Sequence, residues 1–157
     1  MVQRIGYSGL QVLLHWVIAV LIVFAWLSGE GGEEALEAAE QGASTGFVPH
    51  VAIGLAILTL VVVRLIVRLT RGAPAAPGTP GSLQVRAADW GHWLIYLLMI
   101  AVPLGGASAF FLGLDTGDIH EFFANTLMIV VLAHVAMAFY HHFVLKDGLI
   151  RRMMRPE

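Results

Sequence analysis

The chain has 157 residues, of which 58% are hydrophobic and 13% are charged, and its mean hydropathy is +0.79. A water-soluble domain carries about 25% charged residues, so this composition argues against a soluble enzyme or a disordered chain. Nine basic and eleven acidic residues leave no net positive charge to attract nucleic acid. Because the sequence lacks cysteine, disulfides, thiolate zinc sites, iron–sulfur clusters and covalently attached c-type haem are excluded.

Four apolar stretches are long enough to cross a bilayer as helices, since its hydrocarbon core takes about 20 helical residues. They run over residues 10–27, 50–69, 89–112 and 119–144. Continuous apolar runs of this length are not typical of strands or ordinary core helices. The sequence therefore predicts an all-α fold, an integral membrane four-helix bundle forming a single domain over residues 1–157.

Local signals refine this outline. The first apolar run follows Arg4 as in a signal peptide, but it contains His15 and no soluble domain follows it, so we expect it to be retained. Pro103 is expected to bend the third span. The acidic segment between the first two spans has good helix formers and predicts a short surface helix. Residues 72–82 are rich in proline and glycine and predict an irregular connection.

The basic residues predict the orientation of the bundle. All nine lie near the N-terminus, around the second connection or in the C-terminal tail, and by the positive-inside rule both termini are cytoplasmic. The outer face is acidic. The basic residues are Arg4, Arg64, Arg68, Arg71, Arg86, Lys146, Arg151, Arg152 and Arg155. The acidic residues of the outer face are Glu30, Glu33, Glu34, Glu37, Glu40, Asp115, Asp118 and Glu121.

Four histidines fall at two depths of the predicted bundle, where an ionisable side chain marks a candidate functional site. His15 lies near the inner end of the first span, and His50 lies at the outer end of the second. His120 and His134 both lie in the fourth span. Their separation of 14 residues turns a helix by about 1400°, close to four turns, and raises it by about 21 Å. This spacing predicts an outer pair, His50 with His120, and an inner pair, His15 with His134.

Two pairs of neutral imidazoles inside a four-helix bundle suit two b-type haems, which need no cysteine. Two axial imidazoles leave no open iron site for oxygen and so favour electron transfer. Gly54 lies one turn from His50 and would give room to a flat porphyrin, although ordinary helix packing explains a small residue there equally well. A small transporter or proton-conducting bundle without haem is the least favoured alternative, because no acidic–basic pairs cross the mid-membrane.

Arginines follow the second histidine on the same helical stripe. Arg64 comes 14 residues after His50, so it lies on the same face at the depth of the inner pair, and Arg68 comes one turn later. An arginine this deep needs an anionic partner, and a haem propionate is a candidate. Snorkelling to the inner interface explains Arg64 equally well and Arg68 better.

Three further histidines, His92, His141 and His142, are expected to gather at the cytoplasmic interface near the inner haem. A quinone takes up protons with its electrons, so a histidine there could donate a hydrogen bond or relay a proton. Interfacial histidines within an aromatic belt are the alternative. The aromatic residues of that belt are Trp90, Trp93, Tyr96 and Tyr140.

Taken in order, these features resemble bacterial cytochrome b561 over essentially the whole chain. The shared features are His15-Trp16, His50, the arginine-rich end of the second span, Gly91-His92 with Ile95-Tyr96, the histidines of the fourth span, Lys146-Asp147 and the basic tail with Arg152, Met153 and Met154. The resemblance implies a di-haem b protein of the bacterial inner membrane that exchanges electrons with ubiquinone. Some members are regarded as superoxide oxidases. The related cytochrome b subunit of nickel–iron hydrogenase implies an alternative, a haem b anchor serving a partner dehydrogenase or hydrogenase.

The acidic outer face bears on the electron donor. Superoxide is an anion, and its rapid capture benefits from a cationic funnel, whereas the outer loops of this chain carry no lysine or arginine. An acidic face suits a basic periplasmic electron-carrier protein instead. Superoxide and such a carrier are therefore the two candidate donors.

Overall fold

The computed structural model describes residues 6–75 and 78–156, so Arg4 lies outside the described residues. This part of the chain is helical and contains no strand, which confirms the predicted all-α fold. Its helices are α1 (Gly9–Leu27), α2 (Gly29–Glu40), α3 (Pro49–Arg71), α4 (Leu83–Leu112), α5 (Gly117–Tyr140), which continues into a π-helical turn (His141–Leu145), and α6 (Leu149–Arg152).

Four of these helices match the predicted membrane spans. By length and composition, α1, α3, α4 and α5 with its π-helical turn could each cross a bilayer. Large apolar side chains stay exposed along all four helices, for example Leu13, Ile66, Leu97 and Leu132. Exposed apolar surface on this scale needs lipid around it. The four-helix membrane architecture predicted from the sequence is therefore confirmed.

The third span begins six residues before the predicted boundary, and its start has a local cause. The hydroxyl of Ser82 accepts a hydrogen bond from the backbone N–H of Val85 and caps α4. The first turns carry Arg86 and Asp89, so hydropathy alone does not detect them as part of the helix. Helix α4 then runs through the buried Pro103 without interruption, and the bend expected there stays a prediction.

The acidic surface helix predicted between the first two spans is confirmed as α2. It contacts α1, α3 and α4, and its Gly32 lies against the His50 ring at the start of α3. A methyl group at Gly117, the first residue of α5, would lie 3.5 Å from the Leu36 side chain, so α2 also approaches the α4–α5 connection. Helix α2 thus covers one end of the bundle.

The long helices pack in the order α1, α3, α4, α5. At the end opposite α2, hydrogen bonds tie α1 to the α3–α4 connection and to the C-terminal segment. Nε2 of Gln11 donates to the carbonyl of Gly72 (2.9 Å), and Nε1 of Trp16 donates to that of Met153 (2.8 Å). The described basic residues gather at this end, and its cytoplasmic placement stays a prediction. The buried core between the ends consists of Ile18, Ile22, Ile57, Val61, Tyr96, Leu98, Met99 and Leu127.

Candidate functional site

The structure brings together both histidine pairs that the sequence predicts. The ring centroids of His50 and His120 are 5.9 Å apart with planes at 89°. Those of His15 and His134 are 6.4 Å apart with planes at 64°. Helix α5 contributes one member to each pair, while α3 supplies the outer partner and α1 the inner one.

These spacings can be compared with what one iron between two imidazoles requires. If one metal ion bound both rings of a pair, with bonds of about 2.0 Å as in zinc sites and each ring centre about 1.1 Å behind its bonding nitrogen, the centroids would lie at most about 6 Å apart. Both pairs fall close to this value. The donor set therefore fits a bis-imidazole haem at the outer level. At the inner level the spacing fits as well, but coordination through Nε2 of His15 also requires its ring to leave a contact with Arg64.

Backbone carbonyls from two other helices orient the outer pair. Nδ1–H of His50 donates to the Ala25 carbonyl on α1 (3.0 Å), and Nδ1–H of His120 donates to the Val102 carbonyl on α4 (2.8 Å). A carbonyl only accepts, so in each neutral ring the proton sits on Nδ1 and the lone pair on Nε2. Such a bond is the usual way in which a protein orients a metal-binding histidine. All four long helices therefore fix the outer imidazoles.

A cavity of about 370 Å³ lies at this outer pair and is lined by both histidines, Gly54 and Ala124. A methyl group at Gly54 would meet nothing within 4 Å, so this glycine faces open space, as a porphyrin would need. At Gly32 a methyl carbon would lie 2.7 Å from Cδ2 of His50, and at Gly106 one would lie 3.0 Å from the His120 ring. Sequence reasoning proposed Gly54 but missed these two glycines, which allow the rings their positions.

Six carboxylates also line this cavity, and we call them the acidic rim. They lie on α2, on the α4–α5 connection and on the first turns of α5. The acidic outer face expected from the loops is thus concentrated around the outer histidine pair. The acidic rim consists of Glu33, Glu37, Glu40, Asp115, Asp118 and Glu121.

The surroundings of the inner pair are different, because they include a cation. The guanidinium of Arg64 donates from Nε to the Tyr96 hydroxyl (3.1 Å) and from Nη1 to the Gln11 carbonyl (3.0 Å), and its Nη2 lies 3.3 Å from Nδ1 of His15. Among the residues that the structure describes, no carboxylate lies within 4 Å of this guanidinium. Arg64 therefore lies beside the inner histidine pair, as its spacing from His50 predicts, and its hydrogen-bond partners are uncharged groups of α1 and α4.

Arg68 lies one turn further along α3. Its guanidinium carbon is 5.9 Å from the ring centre of Trp93 and 5.7 Å from that of Tyr96. This is cation–π geometry with the aromatic residues of α4. A contact with a haem propionate stays a prediction for this residue.

The structure places the three candidate quinone residues in different surroundings. The His92 ring centroid is 5.3 Å from that of His134, so this residue adjoins the inner pair. His141 is buried and donates from Nδ1 to Oδ2 of Asp147, a partner that sequence reasoning missed. The side chain of His142 is exposed and packs on Phe143. Their common place near a quinone stays a prediction.

Comparison with known proteins identifies the family. The family model for prokaryotic cytochrome b561 matches residues 6–156. The chain is 41% identical to cytochrome b562 of Cereibacter sphaeroides over 160 residues, covering 99% of each chain. It is 31% identical to "Probable superoxide oxidase CybB" of Yersinia pestis, covering 94% of this chain and 95% of that one, and 27% identical to cytochrome b561 homolog 1 of Escherichia coli. The chain therefore belongs to the prokaryotic cytochrome b561 family and is a multi-pass bacterial membrane protein of haem b electron transfer.

Proposed function

We propose that this protein carries electrons across the bacterial inner membrane, from a periplasmic donor to ubiquinone, using two haems b. In this proposal His50 and His120 bind the outer haem and His15 and His134 bind the inner one. The observation that carries it is the presence of two imidazole couples at different levels of one bundle, with centroids 5.9 Å and 6.4 Å apart. Bound haem supplies the reversible one-electron chemistry of its iron.

Haem binding at the inner pair would require Arg64 to exchange its contact with His15 for another partner. A guanidinium only donates, so its contact with Nδ1 of His15 leaves the proton of the neutral ring on Nε2. Coordination through Nε2 requires the lone pair there, so His15 must leave this contact. The freed Nη2 can then pair with a propionate, which is the anionic partner expected for a buried arginine.

Haem content tests the proposal directly. Purified protein should contain two haems b per chain when pyridine haemochrome absorbance is divided by protein concentration from amino-acid analysis. Both haems should be reduced by ubiquinol-1 as well as by dithionite. One haem per chain after expression with excess haem precursor would contradict the two-site arrangement, and a colourless, folded protein would contradict haem binding altogether.

The acidic rim supports a basic protein as the electron donor, whereas superoxide is supported by the name of the Yersinia relative. Stopped-flow reduction should distinguish these donors, because salt screens attraction and repulsion alike with a Debye length of about 10 Å at 0.1 M. The rate with a reduced basic c-type cytochrome should fall between 0.02 and 0.3 M salt, on the order of tenfold. A superoxide rate that is diffusion-limited and insensitive to salt would favour superoxide instead. Reduction by neither, with a dehydrogenase co-purifying, would favour the haem anchor function.

Gly32→Ala should reduce occupancy of the outer haem site. A methyl group at residue 32 would lie 2.7 Å from Cδ2 of His50, so the ring would have to leave its bond to the Ala25 carbonyl. Gly31→Ala is the matched control, because a methyl group there meets nothing within 4 Å and alanine favours the helix by about 0.5–1 kcal/mol. We expect the outer haem to be lost severalfold more readily in Gly32→Ala, measured by haem transfer to apomyoglobin. Equal retention in the two variants would contradict this role of Gly32.

At the inner end we propose that His141 meets the quinone. Its side chain is buried and oriented by a carboxylate, whereas that of His142 is exposed. His92 adjoins the inner histidine pair and is the second candidate for a hydrogen bond to the quinone. His141→Phe should lower the rate of ubiquinone-1 reduction by about 100-fold if the imidazole supplies a proton, while both haems remain bound. Stopped-flow oxidation of the reduced protein by ubiquinone-1 measures this rate.

A further inference from the structure

The turn that follows α5 folds the chain back onto its own last helical residues. Helix α5 passes into the π-helical turn His141–Leu145, and Lys146 then adopts φ +54°, the one positive φ of a non-glycine residue in the described part of the chain. This left-handed residue reverses the backbone, so that the N–H of Asp147 donates to the His141 carbonyl (3.4 Å). A residue six positions later in the sequence is thereby placed beside His141.

The carboxylate of Asp147 is held on two sides. Its Oδ2 accepts the Nδ1–H of His141, and its Oδ1 accepts the backbone N–H of Leu149 (3.0 Å). Burial acts to raise the pKa of Asp147, but the His141 hydrogen bond, the Leu149 N–H and the charges of His141 and Arg152 outweigh it, so the pKa lies below its ordinary value of 3.8. The group is therefore an ionised acceptor at neutral pH.

An ionised carboxylate determines which nitrogen of His141 is free. Because it only accepts, it keeps a proton on Nδ1 and leaves Nε2 to face the other way. On that side Nε2 of Gln84, in the first turn of α4, lies 3.5 Å from Nε2 of His141. The side chain of His141 is 9% exposed and that of Asp147 is 21% exposed. The pair thus connects a buried imidazole with the water at this end of the bundle.

We infer that Asp147 is a positioning residue for quinone reduction, which holds His141 with Nε2 directed at the quinone oxygen and stabilises the protonated ring. The inference rests on the proposed function. Reduction of ubiquinone to ubiquinol takes two electrons, which the periplasmic donor supplies, and two protons. One proton comes from His141, whose Nε2–H bond breaks as an O–H bond forms on the nearer quinone oxygen, and the second proton reaches the opposite carbonyl oxygen from the solvent. The neutral ring keeps its proton on Nδ1, which donates to Oδ2 of Asp147, and takes a new Nε2 proton from water.

Among the described contacts of the His141–Asp147 pair, the one anionic group is Asp147 itself. Arg152 of α6 acts on the carboxylate, and Lys146 precedes it in the turn. The neighbouring group on α4 is the uncharged Gln84, and on α5 it is Tyr140, whose ring centroid is 6.2 Å from that of His141. Removal of the Asp147 charge therefore leaves the protonated ring without an anionic partner.

Two oxidants test this role, because only one of them takes protons. Dithionite-reduced protein is mixed with ubiquinone-1, which needs protons, or with ferricyanide, which takes electrons alone. Asp147→Asn should slow the ubiquinone-1 reaction by about tenfold and change the ferricyanide reaction by less than about twofold, by analogy with other partners that orient a functional histidine. Asp147→Glu should restore much of the rate, since it returns a carboxylate.

Asparagine keeps an oxygen for the Leu149 N–H, so the turn itself should survive the substitution. Glu34→Gln is the control for loss of a carboxylate, since Glu34 is exposed on α2 at the opposite end of the bundle and lies outside the acidic rim. Equal slowing with both oxidants would show a merely structural role for Asp147, and no slowing with either would overturn the inference. If the unmodified protein does not reduce ubiquinone-1, the proposed function fails, and this inference fails with it.

Discussion

His120→Ala should remove the outer haem and leave the inner one bound. His120 faces His50 at 5.9 Å, and a single remaining imidazole holds haem b far less firmly than two. Haem content should fall from two to one per chain by pyridine haemochrome assay. Reduction by the periplasmic donor should fall to the background rate, while ubiquinol-1 should still reduce the haem that remains.

His142→Ala is the control for haem content, because it removes an exposed histidine of the same helical segment. Both haems should stay bound in that variant. Loss of both haems from a folded His120→Ala protein would show that the two sites do not form independently. A full complement of two haems in His120→Ala would show that another residue is the ligand.

Arg64→Met should weaken the inner site and leave the outer one unchanged. The guanidinium of Arg64 brings one positive charge to the inner histidine pair, whether or not a propionate pairs with it, so it favours any state of this region with less positive charge. An iron loses one positive charge on reduction. An interaction on the order of 1 kcal/mol at an effective dielectric constant near 20 corresponds to several tens of millivolts for one electron. The inner midpoint potential should therefore fall by that amount in Arg64→Met.

A redox titration followed by the reduced b-type absorbance measures both potentials. The same variant deprives the Tyr96 hydroxyl and the Gln11 carbonyl of a donor, at a cost of about 1–3 kcal/mol for a group left buried without a partner. Arg64→Lys is the control, because it keeps the positive charge, and its inner potential should stay close to that of the unmodified protein. Equal shifts of both potentials in Arg64→Met would contradict a local effect of the charge.

Helical periodicity was sufficient to predict the features that repeat along a single helix. The 14-residue spacing of His120 and His134 predicts one face and two depths, and the structure indeed brings each of them to a histidine of another helix. The same arithmetic gives the depth of Arg64. Hydropathy gave the four spans but not the polar first turns of α4, because a helix can extend beyond its apolar part.

Features that depend on contacts between helices could not be predicted in this way. The carbonyls of Ala25 and Val102 bind histidines of other helices, and every residue has a carbonyl, so no side chain signals this role. The role of Gly32 could not be predicted from the sequence, because glycine is common in the segments between helices. Only its close approach to His50 in the structure shows that a small residue is needed there. Asp147 reaches His141 through a left-handed backbone at Lys146, which an ordinary lysine does not predict.

Because α5 supplies one histidine to the outer pair and one to the inner pair, the number of residues between His120 and His134 fixes the distance between the two pairs. An insertion or deletion of one residue between His120 and His134 would turn one of them by about 100° relative to the other, which no adjustment of a side chain corrects. The composition of this segment is free to change where it meets lipid, but its length is not. Natural variants of the protein should therefore tolerate many substitutions here and no change in residue number.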